Sequence, residues 1–269
     1  MDMLAGELTT LAFCWRVERR DGVAIGLTSH DRDLAIDGLR HRAAPGMTPS
    51  AVRREIGLGP DTMDVAGALT ADAIGAADLL AGRWDGARVT LFAVDWTGAP
   101  GRVALGEGTI GAVSLTAGQF TAELKGPAAA LARAVTEPCA PECRAELGDR
   151  RCRVPMAGRR RFARVVSVAG PAVTVDAGEP SPNAYGDGRL RWIGGANAGL
   201  ESAVLGSAGA AVTLRAPPAF MVEPGALVEL VEGCDKRLAT CAGRFGNALN
   251  FRGEPYLPGV DLLTRYPGQ

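Results

Sequence analysis

The sequence predicts a mainly β protein with a few short helices: a larger β domain, then a small β-barrel or sandwich domain clipped at its two ends by ligated cysteines. Three observations predict it. Runs of alternating apolar and polar residues, separated by Gly, Pro and Asp, fill most of the chain. Only two segments carry helical spacing. Five of the six cysteines fall in two clusters, one before and one after the second group of strands.

The elements follow in order. AFCWRVER (12–19) and VAIGLTS (23–29) flank Arg20-Asp21-Gly22, and an Asp-Gly pair supplies the left-handed backbone of a hairpin turn. ARVTLFAVDW (87–96) and the long run 101–126 continue the strands, punctuated at Gly98-Ala99-Pro100. Between them, LTADAIGAADLLAGRWDG (69–86) reads as a helix capped by Thr70, with Ile74, Ala77 and Leu80 on its apolar face and Gly82 past its end. PAAALARAVTE (127–137) reads as a second helix, with Pro127 in its first turn and Pro138 after its end. Strands resume at RFARVVSVAG and AVTVDAG, a hairpin about Gly170-Pro171, and continue through RLRWIGG, GAAVTLRAPP and ALVELVEGC. The domain boundary is placed near Gly126, giving domains 1–126 and 127–269.

At 269 residues and 47% hydrophobic, the chain can build real cores. Lys+Arg at 29 against Asp+Glu at 30 argues against a dedicated nucleic-acid or membrane-surface binder. The opening MDMLAGELTTLAFCWRVERRDG lacks a basic start, and Arg16, Glu18, Arg19 and Arg20 break its apolar run, so no signal peptide is expected. No run is long enough to cross a bilayer. A reducing cytoplasm is the expected site of folding, where clustered cysteines favour metal over disulfides. Cys14, alone in an alternating run, reads as a small core thiol.

The first cluster, CAPECRAELGDRRCRVP, holds Cys139, Cys143 and Cys152; the second, GCDKRLATC, holds Cys234 and Cys241. The gaps of nine (Cys143 to Cys152) and seven (Cys234 to Cys241) match neither the C-x-x-C zinc knuckle nor a ferredoxin run. Four thiolates around either zinc or an iron-sulfur cubane carry net negative charge. Arg144, Arg150, Arg151, Arg153, Lys236 and Arg237 are expected to compensate that charge and to lower the thiol pKa values. Charge alone does not choose the metal.

The run GCDKRLATCAGRFGNALNFRGEPYLPGVD (233–261), with CRAELGDRRC (143–152) and GLTSHDRDLAIDG (26–38), resembles the phage tail baseplate hub family of alphaproteobacterial gene transfer agents and related tailed phages, over nearly the whole chain. The cysteine gaps are similar to those of the lambdoid tail tip protein L, whose four cysteines hold a 4Fe-4S cluster. The resemblance implies Cys143, Cys152, Cys234 and Cys241 as ligands. Cys139, four residues before Cys143, is a fifth candidate, and Cys143 is preferred for its nine-residue gap. It further implies a tail-tube-like first domain and a ring, a homotrimer, that continues the tail tube below the distal tail protein. Such a ring grips a tip or central fibre-like protein and a tail peptidase, and DNA passes its channel without sequence-specific binding. Assembly belongs to the producing cell's cytoplasm, and the protein to the baseplate of the released particle. Joining Cys152 to Cys234 closes an 82-residue loop, worth about 4 to 5 kcal/mol by the chain-entropy arithmetic used for disulfides. A structural role suffices, and no enzyme is implied.

Other features have plainer readings. GEGTIG (106–111) fits a dinucleotide fingerprint, but the alternating run after it offers no helix, so a glycine turn is expected. His30 in SHDRD reads as a polar strand end whose Asp side chains bond turn amides. Gly158 to Arg161 reads as a solvated rim or subunit contact. Asn247, Asn250, Phe251, Arg252 and Tyr256, among turn formers, are expected to wrap against the cysteine clip or a neighbouring subunit, with Arg252 and Glu254 making polar contacts. The competing functions are an iron-sulfur or flavin-linked oxidoreductase and a zinc-stabilised binding module.

Overall fold

A computed structural model describes residues 10–43, 48–49, 62–68, 74–97, 101–116, 119–126, 129 and 134–257. The chain divides into two compact units, Met1–Val135 and Thr136–Gln269.

The first unit contains β1 (Leu11–Glu18), β2 (Ala24–Thr28), β3 (Leu34–Ile36), β4 (Leu39–Ala43), β5 (Thr48–Pro49), β6 (Thr62–Ala68), α1 (Ala76–Leu80), β7 (Arg88–Asp95), β8 (Arg102–Thr116) and β9 (Gln119–Lys125). They form one sheet in the order β3-β4-β2-β1-β7-β8-β9-β6-β5. The β1–β2 hairpin turns where Asp21-Gly22 predicts it: Gly22 takes φ 86°, and Arg19 N donates to Val23 O at 2.8 Å. β1 and β7 pair in mid-sheet and are covered on both faces. Trp15, Val17, Val89 and Leu91 pack with Leu79 and Trp84 on one face. On the other, Ala12, Cys14, Phe92 and Val94 meet Leu34 and Ile36 of β3. Cys14 is a core thiol that donates to Thr28 Oγ1 at 3.4 Å.

Several expectations change here. α1 spans five residues with Gly75 at its N-terminal flank; Thr70 lies outside the described residues. Its one buried residue is Leu79, with Ile74 buried just before it, while Leu80, assigned to the apolar face, is 78% exposed, because so short a helix presents only one residue inward. Most of the expected helix 127–137 also lies outside the described residues, and residues 134–137 are not helical. GEGTIG lies inside β8, at a register shift against β7, rather than in a turn. Gly106 continues the strand there, and no helix opens, so the dinucleotide reading fails on geometry. His30 does close a strand end, but Asp33 bonds the neighbouring strand rather than a turn: it accepts from Ala43 N at 2.7 Å and Arg40 Nε at 2.6 Å.

β4 also carries a buried titratable group. His41 is 2% exposed, with Nδ1 3.1 Å from Leu39 O and its ring edge-on to Phe92. Burial pushes its pKa below the usual histidine range, opposed in part by the Leu39 carbonyl. Folding therefore favours the neutral ring. That stability is complete above about pH 6.5, the unfolded histidine value, and is lost as pH falls through the lower folded value. Thermal unfolding of the whole chain is expected at lower temperature at pH 5 than at pH 7, with the difference reduced in His41→Gln. An undiminished difference in that variant would assign the effect to another group.

The second unit contains β10 (Arg160–Ala169), β11 (Ala172–Val175), β12 (Arg189–Trp192), β13 (Glu201–Ala208), β14 (Ala211–Leu214), β15 (Leu227–Val231) and α2 (Leu238–Gly243), followed by a 3-10 turn at Ala248–Asn250. The six strands close a barrel in the order β10-β11-β14-β13-β12-β15. The first hairpin turns at Gly170-Pro171, with Ala169 opposite Ala172. Val165, Val173, Leu190, Trp192, Val204, Leu214 and Leu230 fill the interior, each at most 2% exposed, and the Trp192 indole N–H donates to Ser202 Oγ at 2.9 Å. β15 closes the barrel by pairing with β10 on one side and β12 on the other. The sequence left barrel and sandwich open; this double pairing decides for the barrel.

Candidate cysteine centre

The segment carrying Cys143 and Cys152 has neither helix nor strand, so side chains order it. Asp149 accepts from Cys152 N at 2.6 Å, Arg151 N at 2.8 Å and Glu146 N at 2.9 Å. These donors, Cys152 N–H foremost, hold its carboxyl below the usual range. Cys143 is tied to the second cluster through its backbone, its N–H donating to Lys236 O at 2.8 Å. Its sulfur accepts from Arg252 N at 3.3 Å.

The second segment leaves the barrel at β15 through Gly233. A Cβ there would overlap Gly186 O and Gly188 N, so only glycine lets the two backbones approach. Cys234 follows, and Asp235 accepts from Arg237 N at 3.0 Å and Thr240 Oγ1 at 2.7 Å, an Asx turn that launches α2. Cys241 is the buried residue of that short helix. Arg244 docks the helix end on the barrel: it donates to Ala184 O at 2.9 Å and pairs with Glu232 at 2.6 Å. Arg159 reaches the same Glu232 carboxylate at 2.7 Å. Phe245 lies against both guanidinium groups, at 4.8 and 4.9 Å from ring centre.

The four thiols share one neighbourhood. Burial raises the Cys241 pKa, and Cys143, Cys234 and Cys152 raise it further. Burial also raises that of Cys234, with Cys152 adding to the rise and the Lys236 amide and charge opposing it. Cys139 is exposed and is not among the groups acting on either thiol. Among the described residues, no three His, Cys, Asp or Glu side chains are gathered tightly enough to hold a single metal ion.

The expected role of the surrounding cations is corrected. Cys234 and Cys241 are raised rather than lowered, because burial dominates at both thiols and the neighbouring Arg144 and Arg151 serve other partners. Arg151 forks onto Glu137, and Arg144 bridges Glu254 at 2.8 Å and Glu137 at 3.2 Å. Lys236 is the cation that acts on Cys234, and it also holds Ala145 O at 2.6 Å. In the run at 159–161 only Arg159 turns inward, onto Glu232; Arg160 and Arg161 stay exposed as a solvated rim requires, with Arg160 near Glu229 at 3.8 Å and Arg161 donating to Gly178 O at 3.1 Å.

The C-terminal segment wraps against the first cysteine loop of its own chain. Arg144 N donates to Arg252 O at 3.0 Å and Glu254 N to Ala140 O at 2.8 Å. Arg144 holds the Glu254 pKa down to about 2. Asn247, expected to wrap against the cysteine clip, does more than that, and a second feature was missed in the sequence. Asn247 links the clusters: its Nδ2 donates to Cys152 O at 2.6 Å, and its backbone N to Cys241 O at 2.9 Å. The turn-forming segment around it signalled the packing, but not the specific bonds to both cysteine segments. The Arg159–Glu232–Arg244 contact had no signal, since its members are remote in sequence.

Comparison with known proteins agrees with this architecture. Residues 1–155 match the family described as baseplate hub protein, N-terminal attachment domain. Residues 183–261 match the family described as phage conserved hypothetical protein BR0599. No curated protein matches. Among solved structures, the chain is similar to one from a virion of a native gene transfer agent particle, at 39% identity and a TM-score of 0.84, covering 99% of this chain and 94% of that one. Fold and matches together define a structural protein of a tailed particle. The chain belongs to the baseplate hub protein family.

Proposed function

We propose that this protein is the baseplate hub of a gene transfer agent or phage tail, and that three copies form a ring continuing the tail tube. The observation that carries this reading is the likeness, over 99% of the chain, to a component of a gene transfer agent virion. The ring joins the distal tail protein above to a tip or central fibre-like protein and a tail peptidase below, and passes DNA without reading its sequence. The protein is assembled in the producing cell's cytoplasm. Mass measurement of the purified protein and of its complex with the distal tail protein tests the copy number; a strictly monomeric chain in both would end the ring reading.

In this reading Cys143, Cys152, Cys234 and Cys241 hold a 4Fe-4S cluster with a structural role. The donor set fits: four thiols from two remote segments share one site, and amide N–H groups face two of the sulfurs. Bound there, the cluster supplies a cross-link that closes the barrel's two ends. Metal and sulfide analysis of anaerobically purified protein is expected to give iron with sulfide, and brown absorption. Zinc alone would favour the binding-module reading. Cys143→Ser is expected to lose the iron and Cys139→Ser to keep it; the reverse result would transfer the ligand role to Cys139. The oxidoreductase reading has no observation in its favour, since its glycine motif is buried in the pairing of β8.

A further inference from the structure

Asn247 touches one cysteine from each cluster, and nothing about the fold of the barrel requires it to. Its backbone N–H donates to Cys241 O at 2.9 Å, and its carbonyl oxygen lies 3.4 Å from Cys241 Sγ. Its side-chain Nδ2 donates to Cys152 O at 2.6 Å and stands 3.7 Å from Cys152 Sγ, within reach of a hydrogen bond to sulfur. The amide orientation is fixed by its other end: Oδ1 accepts from Asn250 Nδ2 at 2.7 Å. The NH₂ group must therefore face the cysteine. A second N–H, that of Arg252, reaches Cys143 Sγ at 3.3 Å. So the segment after α2 directs donors at two sulfurs of the first cluster, Cys143 and Cys152.

We infer that Asn247 is a positioning residue of the cysteine centre: its side-chain amide fixes Cys152 against Cys241 and donates to the Cys152 sulfur. The inference rests on the cluster reading above. Donors facing thiolate ligands stabilise the electron-rich centre and raise its reduction potential, and groups supporting metal ligands typically change metal retention about ten- to a hundredfold. Asparagine suits the position because it gives two N–H bonds from one end and accepts at the other. Aspartate has the same shape with no N–H and brings a negative charge toward an anionic centre.

The test uses the full chain, loaded anaerobically with ferrous iron and sulfide, as wild type, Asn247→Asp, Asn247→Ala and Leu249→Ala. Leu249 is 97% exposed and serves as a neighbouring control. The measurements are the rate of iron loss to a chelator, the midpoint potential and the far-UV spectrum. Both Asn247 variants are expected to lose iron roughly ten- to a hundredfold faster, with a more negative potential in Asn247→Asp and native spectra throughout. Leu249→Ala is expected to match wild type. If wild type loads and both Asn247 variants match it in rate and potential, the inference is overturned while the cluster reading stands. If wild type takes up no iron-sulfide centre, the cluster reading falls and the inference with it. Should Asn247→Asp fail to fold, Asn247→Ala alone decides the loss rate.

Discussion

Replacing Glu232 with alanine is expected to destabilise the second unit by about 3 kcal/mol, toward the lower end of the range for breaking a buried ion pair. The Glu232 side chain is 7% exposed and serves two guanidinium groups, Arg159 from the loop before β10 and Arg244 from the end of α2. Removing it leaves two cations facing each other over Phe245 with no counter-charge. The arginines keep 26% and 23% of their side-chain surface in water, so screening holds the loss near the lower figure. Urea unfolding at neutral pH measures it. A change below about 1 kcal/mol, the scale of an ordinary surface pair, would show the triad to be incidental.

Gly233→Ala is expected to be the most damaging single-methyl change near the centre. Its Cβ would overlap the backbone of Gly186 and Gly188, which cannot rotate away as a side chain can. Overpacking of this kind costs about 1 to 3 kcal/mol, and the absence of any yielding side chain puts this case at the upper end. Relief requires the exit from β15 to move, which displaces Cys234 from the other thiols. Lower stability is therefore expected and, under the proposed cluster, lower iron retention with it. Gly243→Ala is the comparison, because a methyl there meets nothing within 4 Å and lies in α2, where alanine is favoured. Equal behaviour of the two variants would refute the close-approach argument.

What the sequence disclosed was what local chemistry determines. Asp21-Gly22 and Gly170-Pro171 announce their hairpins because the turn residues themselves carry the required backbone geometry. The cysteines were legible because they are few, clustered, and placed on either side of a group of strands. β3 and β4 went unrecognised because they are short and interspersed with Asp, Arg and His. β13, ESAVLGSA, was overlooked because glycine and small residues weaken its alternation. Barrel closure depends on β15 pairing with β10 and β12, partners far away in sequence, and no local residue signals it. The same holds for charge. Arg144 reads as a cation for the thiols until folding brings Glu254, 110 residues downstream, onto it.

The strand that completes the barrel is also the one that delivers Cys234, and this sets an order on the ribosome. Cys143 and Cys152 emerge early, but the staves beside which they must lie are finished only when residues 227–231 have been synthesised. Until then the early sulfurs face no counterpart. If the proposed cluster forms, its assembly is thereby a late event for each nascent chain, reporting that the barrel has already closed.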